Sequence, residues 1–384
     1  MPWGILAWGA LGVALHIGLA RFAYGVVLPS LRIDLGLDYT TGGLLNAIHL
    51  GGYLAGTLTG PALARRFGMH RTARWAHLLV VAGALLCAAV PSGGTLGPLL
   101  LGAGRLASGY GAGPAVIAIM VSVLSRVPEA QRVSASVLMW TGMAVAILGC
   151  GLGVAWLIEP GAWRYAFAAA AACALVLAIG LPAPAQVPAD AASGQAFALA
   201  AVMSRRWAFI VATYASFGLG YIAYATFAGS RMSAAGASVA TMTLSWATLG
   251  VATVVGSAFT LVLLARVALR THALSFAMAS AAVGSAIAIG SSDTAAFVGA
   301  IGVGLGLAAT PALITAAART RSTAADYARA FSVATAALGI GQLVGPVIAG
   351  ALADRFGPAA APAFAAAAYA VGAVCAELDR RLSG

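Results

Sequence analysis

Apolar runs of about 20 residues recur from one end of the chain to the other, and each is long enough to cross a bilayer as a helix. Of the 384 residues, 61% are hydrophobic and only 8% are charged, whereas soluble domains carry roughly 25% charged residues. No soluble core needs so much apolar surface. We therefore predict an all-α membrane protein with twelve transmembrane helices.

The predicted spans lie near residues 4–31, 41–64, 73–90, 97–124, 134–157, 163–181, 207–229, 239–264, 273–290, 295–318, 329–352 and 361–377. A polar, proline-containing connection separates the sixth span from the seventh, and its composition is typical of a linker. We predict an N-terminal six-helix bundle over 1–181, a cytoplasmic linker over 182–206 and a C-terminal six-helix bundle over 207–384.

The basic residues are 21 arginines and no lysine, and the formal net charge is +11. They lie between the apolar runs and form no extended basic face, so no nucleic-acid partner is expected. Four lie in predicted outer loops, two lie inside spans, and the remaining 15 lie in segments that a cytoplasmic N-terminus places inside the cell. The positive-inside rule then predicts both termini in the cytoplasm. The abundant alanine and absent lysine are typical of a GC-rich bacterial genome, so we expect the bacterial inner membrane.

Several kinds of chemistry are not expected. A chain without lysine has no P-loop lysine for ATP-driven transport. The four cysteines, Cys87, Cys150, Cys173 and Cys375, lie far apart without the CxxC spacing of a metal or redox site. No nucleophile, base and orienting group occur at a recognisable spacing. We therefore predict no cofactor, no metal ion and no enzymatic activity.

The two halves of the chain resemble each other at an offset of 200 residues. The segment Gly18–Tyr24, GLARFAY, lies over Gly218–Tyr224, GLGYIAY, with four identities in seven positions. The same offset pairs Arg66 with Arg266. Internal repeats of this kind occur in transporters that bind their substrate at the repeat interface.

Six plus six spans, a basic loop after span two and the pattern of Arg105, Gly109 and Gly111 in span four together resemble the major facilitator superfamily. Within it, the segment GLARFAY is similar to the start of the YbfB/YjiJ-type branch. The resemblance covers nearly the whole chain and implies two bundles that rock around a mid-membrane site, with spans one and four beside the cavity. Arg65 stands where the family has an acid, so no charge relay is expected at that loop.

Two arginines, Arg21 in span one and Arg105 in span four, lie inside predicted spans. A charge near the bilayer centre costs about 2.5–3.5 kcal/mol on insertion scales, so such residues point to function. All ten acidic residues fall in predicted loops or at span ends, which argues against a cation exporter. Two guanidinium groups suit a carboxylate, phosphate or other oxyanion. The alternative is that both arginines are structural and bond helix carbonyls.

Other polar residues in the spans extend this site. Asn46, His49 and Tyr53 share one face of span two at i, i+3 and i+7. The predicted substrate-binding residues are Arg21, Arg105, Tyr24, Tyr221, Tyr224, Asn46 and Tyr53. His16 and His49 are candidates for proton coupling, because imidazole titrates near physiological pH, with helix packing as the alternative. We assign no role to His70, His77 and His272.

The leading hypothesis is a monomeric secondary active transporter that moves a small organic anion across the inner membrane by alternating access, with protons as a candidate coupling ion. One alternative is an exporter of neutral or amphipathic compounds such as drugs or sugars, with structural arginines. Another, of a different class, is a non-transporting membrane receptor or assembly factor. Such proteins usually add a soluble domain, for which the tails and loops here are too short.

Overall fold

The computed structural model describes residues 2–92, 94, 96–182, 205–265, 267–320 and 324–383, and in these residues it contains twelve helices and no strand. The helices are α1 (Trp3–Leu35), α2 (Tyr39–Phe67), α3 (Met69–Ala88), α4 (Leu96–Leu124), α5 (Arg132–Leu157), α6 (Trp163–Ile179), α7 (Arg205–Ala234), α8 (Val239–Ala265), α9 (Val267–Ile287), α10 (Asp293–Thr320), α11 (Ala324–Phe356) and α12 (Ala360–Ser383). Each corresponds to one predicted span, so the predicted all-α fold with twelve transmembrane helices is confirmed.

The helices differ in how strongly their composition indicates a membrane span. In the described part of the chain, seven are long and apolar enough to cross a membrane by length and composition, and three more contain shorter apolar stretches. The other two are α2 and α3. Arg71 and Arg74 lower the mean hydropathy of α3, and Asn46, His49 and several glycines and threonines lower that of α2.

Glycines set two of the helix ends. Gly36 ends α1 with a φ of 64° and Gly68 separates α2 from α3 with a φ of 84°. Glycine adopts such angles without the steric penalty that a Cβ would bring. The N–H of Leu37 then donates to the carbonyl of Arg32 at 2.9 Å, which closes the end of α1.

The chain forms two compact units. The first comprises Met1–Asp38 and Leu44–Gly194, and the second comprises Tyr39–Gly43 and Gln195–Gly384. Inside the second unit, the carboxylate of Asp354 near the end of α11 accepts hydrogen bonds from the backbone N–H groups of Tyr39 and Thr40, each at 2.8 Å. The predicted linker over 182–206 falls almost wholly outside the described residues, so the domain limits remain a prediction.

Small residues allow close packing in each unit. In the first, α3 packs against α4 and α6, and in the second, α7 packs against α11 and α12. A Cβ on Gly109 of α4 would overlap the carbonyl of His49 on α2, and one on Gly306 of α10 would meet the carbonyl of Ala277 on α9. Such glycines let helix backbones approach each other directly.

The first helix is interrupted by one π-helical segment, Ala14–Leu19. A π-helical turn accommodates one extra residue, and such segments are found frequently at functional sites. Gly18 within it packs against Ala146 of α5 with no room for a Cβ. The segment also places His16 in the interior of the first unit, where its side chain is 1% exposed.

Candidate functional site

Arg105 on α4 is the centre of the polar interior of the first unit, and its side chain is 2% exposed. Its Nε donates to the carbonyl of Leu45 at 3.4 Å, one Nη donates to the carbonyl of Ala20 at 3.2 Å, and the other donates to Oδ1 of Asn46 at 2.6 Å. The ring of Tyr24 lies against the guanidinium, with Cζ 4.3 Å from the ring centroid.

These contacts fix the orientation of the Arg105 side chain and do not neutralise its positive charge. A guanidinium has five N–H donors, and three are used here. The acceptors are two helix carbonyls and one amide oxygen, all of them neutral. The bonds to helix carbonyls are those expected if the residue is structural. Since an arginine stays protonated in proteins, the group remains a buried cation.

Arg21, which also lies in the first unit, contacts a second aromatic ring. Its side chain is 8% exposed, and its Cζ lies 5.1 Å from the ring centroid of Tyr53 on α2. This distance is within the range of a cation–π interaction. The structure therefore brings together five of the seven predicted binding residues as two groups, one around Arg105 and one around Arg21.

A cavity of about 50 Å³ opens beside Arg105 within the first unit. Small-molecule sites commonly measure about 300–1,000 Å³, so this cavity is smaller than a typical substrate site. The polar side chains that line it are His16, Tyr24, His49, Arg105 and Ser108. The rest of the described lining is apolar, and none of it is acidic. The cavity is thus a mostly apolar space with a positively charged wall.

His49 faces the same cavity from α2. Its Nδ1 lies 3.2 Å from the carbonyl oxygen of Arg105 and 3.3 Å from the hydroxyl of Ser108. A carbonyl can only accept, so Nδ1 carries the hydrogen and Nε2 carries the lone pair. These bonds fit the packing role that was the alternative for this histidine, although its place on the cavity wall keeps it a proton-coupling candidate.

The structure adds a residue that sequence reasoning left without a role. His77 on α3 packs edge-on against His16, with ring centroids 5.2 Å apart and planes inclined by 64°. His77 is 0% exposed. The two residues lie on different helices with no shared spacing, so no linear pattern could have paired them. The one signal in the sequence was a third histidine close to an apolar run.

Tyr221 and Tyr224 lie on α7 in the second unit, and both are buried. Tyr221 stacks on Phe217 at 5.1 Å, and Phe217 stacks on Tyr214 at 6.2 Å. Tyr224 lines another cavity, of about 30 Å³, within this unit, together with Phe227. The grouping of these two tyrosines with the arginines remains a prediction.

The fold is similar to those of solved carriers. The crystal structure of a mutant of the nucleoside transporter NupG matches with a TM-score of 0.77 at 14% identity, covering 98% of this chain and 99% of that chain. The D-xylose-proton symporter matches with a TM-score of 0.76 at 16% identity, covering 97% and 96%. A bacterial homologue of the human lysosomal transporter Spinster matches with a TM-score of 0.67 at 17% identity, covering 99% and 93%. At these identities the likeness shows the fold, which is that of the major facilitator carriers.

The sequence identifies the family of the protein more narrowly than the fold does. A family model described as the uncharacterised MFS-type transporter YbfB matches residues 13–378. The chain belongs to this family of major facilitator superfamily transporters. No curated protein matches the chain at a significant level. The predicted superfamily and branch are therefore confirmed, and the protein is a multi-pass membrane transporter.

Proposed function

We propose that this transporter moves a small organic anion by alternating access, with Arg105 as the principal anion-binding group. The observation that carries the proposal is the buried guanidinium of Arg105, whose described hydrogen-bond acceptors are all neutral. A cation in a low-dielectric interior attracts an anion far more strongly than it does in water. An anion that enters the adjoining cavity supplies the missing negative charge.

The chemistry of the cavity supports the same assignment. Its described lining offers the N–H donors of Arg105 and the hydroxyl of Tyr24, and it contains no acid that would repel an anion. Arginine binds carboxylates and phosphates through parallel N–H groups. Arg21, Asn46, Tyr53, Tyr221 and Tyr224 are proposed as further substrate-binding residues. We also propose that the protein is a monomer in a bacterial inner membrane with both termini in the cytoplasm.

A second candidate function is transport of neutral compounds. The observation in its favour is the set of bonds from Arg105 to helix carbonyls, which would give the residue a purely structural role. The stacked aromatic rings of α7 could then form part of a binding surface for nucleosides or sugars. Two of the structures with the same fold are described as a nucleoside transporter and a D-xylose-proton symporter.

A thermal-shift panel separates the two candidates. The purified protein is heated with lactate, benzoate, gluconate or phosphate, and in parallel with xylose, uridine or tetraphenylphosphonium. The anion proposal predicts a raised unfolding midpoint with at least one of the organic anions, since a ligand that binds only the folded state stabilises it. Stabilisation by xylose or uridine alone would support the second candidate, and stabilisation by the cation alone would contradict both.

Substitution then assigns the residues. Arg105→Gln and Arg21→Gln keep hydrogen-bonding groups and remove the charge. We expect each to weaken binding of the stabilising anion by about tenfold or more, which corresponds to about 1.4 kcal/mol. Arg71→Gln removes an exposed arginine from the start of α3 and serves as the matched control. Equal anion affinity in Arg105→Gln and Arg71→Gln, with both proteins folded, would make Arg105 a structural residue.

A further inference from the structure

The pair formed by His16 and His77 is a buried polar site that anion binding does not account for. His16 lies in the π-helical segment of α1 and His77 lies on α3, with ring centroids 5.2 Å apart. Their side chains are 1% and 0% exposed. The Nε2 atom of each ring is buried and has no hydrogen-bond partner among the described residues.

Orphaned polar atoms of this kind are costly. A buried polar group without a hydrogen bond costs about 1–3 kcal/mol. The indole Nε1 of Trp8 is also unpartnered among the described residues, and the ring centroid of Trp8 lies 6.4 Å from that of His77. Packing alone does not require three such atoms, because apolar side chains would fill the same space without this cost. The closeness of these three rings indicates a site for a species that binds to an imidazole nitrogen.

The hydrogen-bond pattern shows where a proton binds. Nδ1 of His77 lies 2.7 Å from the carbonyl oxygen of Ala73. Since a carbonyl only accepts, Nδ1 carries the hydrogen and Nε2 carries a lone pair. A proton added to that lone pair gives an imidazolium that carries hydrogen on both nitrogens, and no electron or other group is transferred. His16 lines the cavity beside Arg105 whereas His77 does not, so a proton that enters through the cavity meets His16 first.

We propose that His16 and His77 together bind one proton, and that this proton travels in the same direction as the anion bound at Arg105. The proposal rests on the proposed function for its anion. It extends that function by naming the coupling ion and the residues that hold it. The carrier would then be a proton–anion symporter whose proton site is an imidazole pair.

The charges around His16 and His77 would couple proton binding to anion binding at Arg105. Apart from groups near the helix ends, the titratable or charged side chains of α1 and the helices around it are Arg21 and Tyr24 on α1, His49 and Tyr53 on α2, Arg105 and Tyr110 on α4, Cys150 on α5 and Cys173 on α6, to which Cys87 near the end of α3 is added. None of these is an acid, and the two arginines oppose a further positive charge nearby. An anion at Arg105 reduces that opposition, so the pair binds its proton more tightly when the anion is present. By linkage, the protonated carrier binds the anion more tightly by the same factor.

A direct titration tests the proton site. The protein is labelled with ¹⁵N-histidine in detergent micelles, and its five histidines are assigned by single His→Gln variants. We expect the ring signals of His16 or His77 to change to those of an imidazolium as the pH is lowered from about 8 to about 4. Lactate or benzoate, whichever stabilises the protein in the thermal-shift panel, should move this transition to higher pH. If both rings stay neutral over the whole range, the proposal is wrong.

Transport tests the coupling. Proteoliposomes with an inward proton gradient are given radiolabelled lactate or benzoate, and the uptake by protein-free liposomes, which measures entry of the protonated acid through the lipid, is subtracted. Wild-type protein should accumulate the anion severalfold above its equilibrium level. His16→Gln and His77→Gln should lose this accumulation yet retain exchange of labelled for unlabelled anion, because exchange needs no net proton movement. A residue that only packs would lower both rates together. His70→Gln, at the start of α3, is the matched control and should behave as wild type.

The outcomes separate the two proposals. Gradient-driven accumulation that survives in both pair variants overturns the symport proposal, whatever the anion. If no anion is transported but the pair titrates, the proposed function fails and the proton site stands. If an anion is transported with no response to the proton gradient, the proposed function stands and the coupling is refuted. The titration on wild-type protein decides the matter even where a variant does not fold.

Discussion

At the scale of single residues, Arg105 has the contacts that a preorganised anion site needs. Its three neutral acceptors hold the guanidinium in one orientation before any ligand arrives. A group fixed in advance loses little further conformational freedom on binding, which leaves more of the attraction available as affinity. Asn46 is the closest of these acceptors, and its amide oxygen provides the orientation without the charge that a carboxylate would bring.

Asn46→Asp should therefore separate orientation from charge. The substitution keeps the shape of the side chain and places a carboxylate 2.6 Å from the guanidinium of Arg105. We expect anion affinity to fall about tenfold or more, because the new pair is neutral overall, while the thermal unfolding midpoint stays the same or rises. Asn46→Ser retains a neutral oxygen and should change affinity much less. Unchanged anion binding in Asn46→Asp would show that the charge of Arg105 is not used. Binding isotherms and thermal unfolding of the purified variants measure both effects.

The sequence was informative about these residues only in part. The cost of charge in a membrane singled out Arg21 and Arg105, and helical periodicity placed Asn46 and His49 on one face of α2. Contacts between side chains on different helices could not be predicted from the sequence. The contact of His77 with His16 depends on how α3 packs against the π-helical segment of α1, and a single chain carries no signal for such distant contacts.

At the scale of helices, the π-helical segment Ala14–Leu19 controls where the polar side chains of α1 point. One extra residue in a turn rotates the side chains before it about the helix axis relative to the side chains after it. The sequence did not predict this segment, because an added apolar residue leaves a hydrophobic run looking like any other. The twelve spans themselves were predictable, since each is an apolar run between polar residues or Pro/Gly breaks. Gly18 is the residue that seats the segment against α5.

Gly18→Ala should destabilise the protein by about 1–3 kcal/mol, the usual effect of overpacking a well-packed interior. The added methyl would overlap the Cβ of Ala146, whereas a Cβ on Gly149 of the same α5 would have nothing within 4 Å. Gly149→Ala is thus the matched control, and it should be neutral or stabilising by up to about 1 kcal/mol. Adding Ala146→Gly to Gly18→Ala should recover most of the loss. A thermal midpoint that Gly18→Ala leaves unchanged would refute the close contact.

At the scale of the whole molecule, the distribution of arginine sets the orientation in the membrane. The two compact units are joined by a segment that sequence composition predicts as a cytoplasmic linker, and the positive-inside rule assigns that side. The same rule assigns the connection between α9 and α10 to the outside and that between α2 and α3 to the inside. Orientation could be predicted from sequence because it depends on charge counts and needs no detail of packing.

Cysteine labelling checks this orientation. In a cysteine-free background, Ser291→Cys between α9 and α10 should react with a membrane-impermeant maleimide on intact cells, because the predicted topology places that connection outside. Arg71→Cys at the start of α3 should react only after the cells are permeabilised. Both positions are exposed in the structure, so the contrast reports sidedness and not burial. The reverse pattern would place both termini outside and contradict the predicted topology.

In the proposed alternating-access cycle, the buried charge of Arg105 would also respond to the membrane potential. A displacement of one elementary charge across the full membrane changes the energy by about 2.3 kcal/mol per 100 mV, and any smaller movement of α4 along the field changes it in proportion. Since the guanidinium belongs to the protein, it returns in every cycle and transfers no net charge. In the proposed cycle, the membrane potential would therefore shift the balance between the inward-open and outward-open states, even where the transported species together are electroneutral.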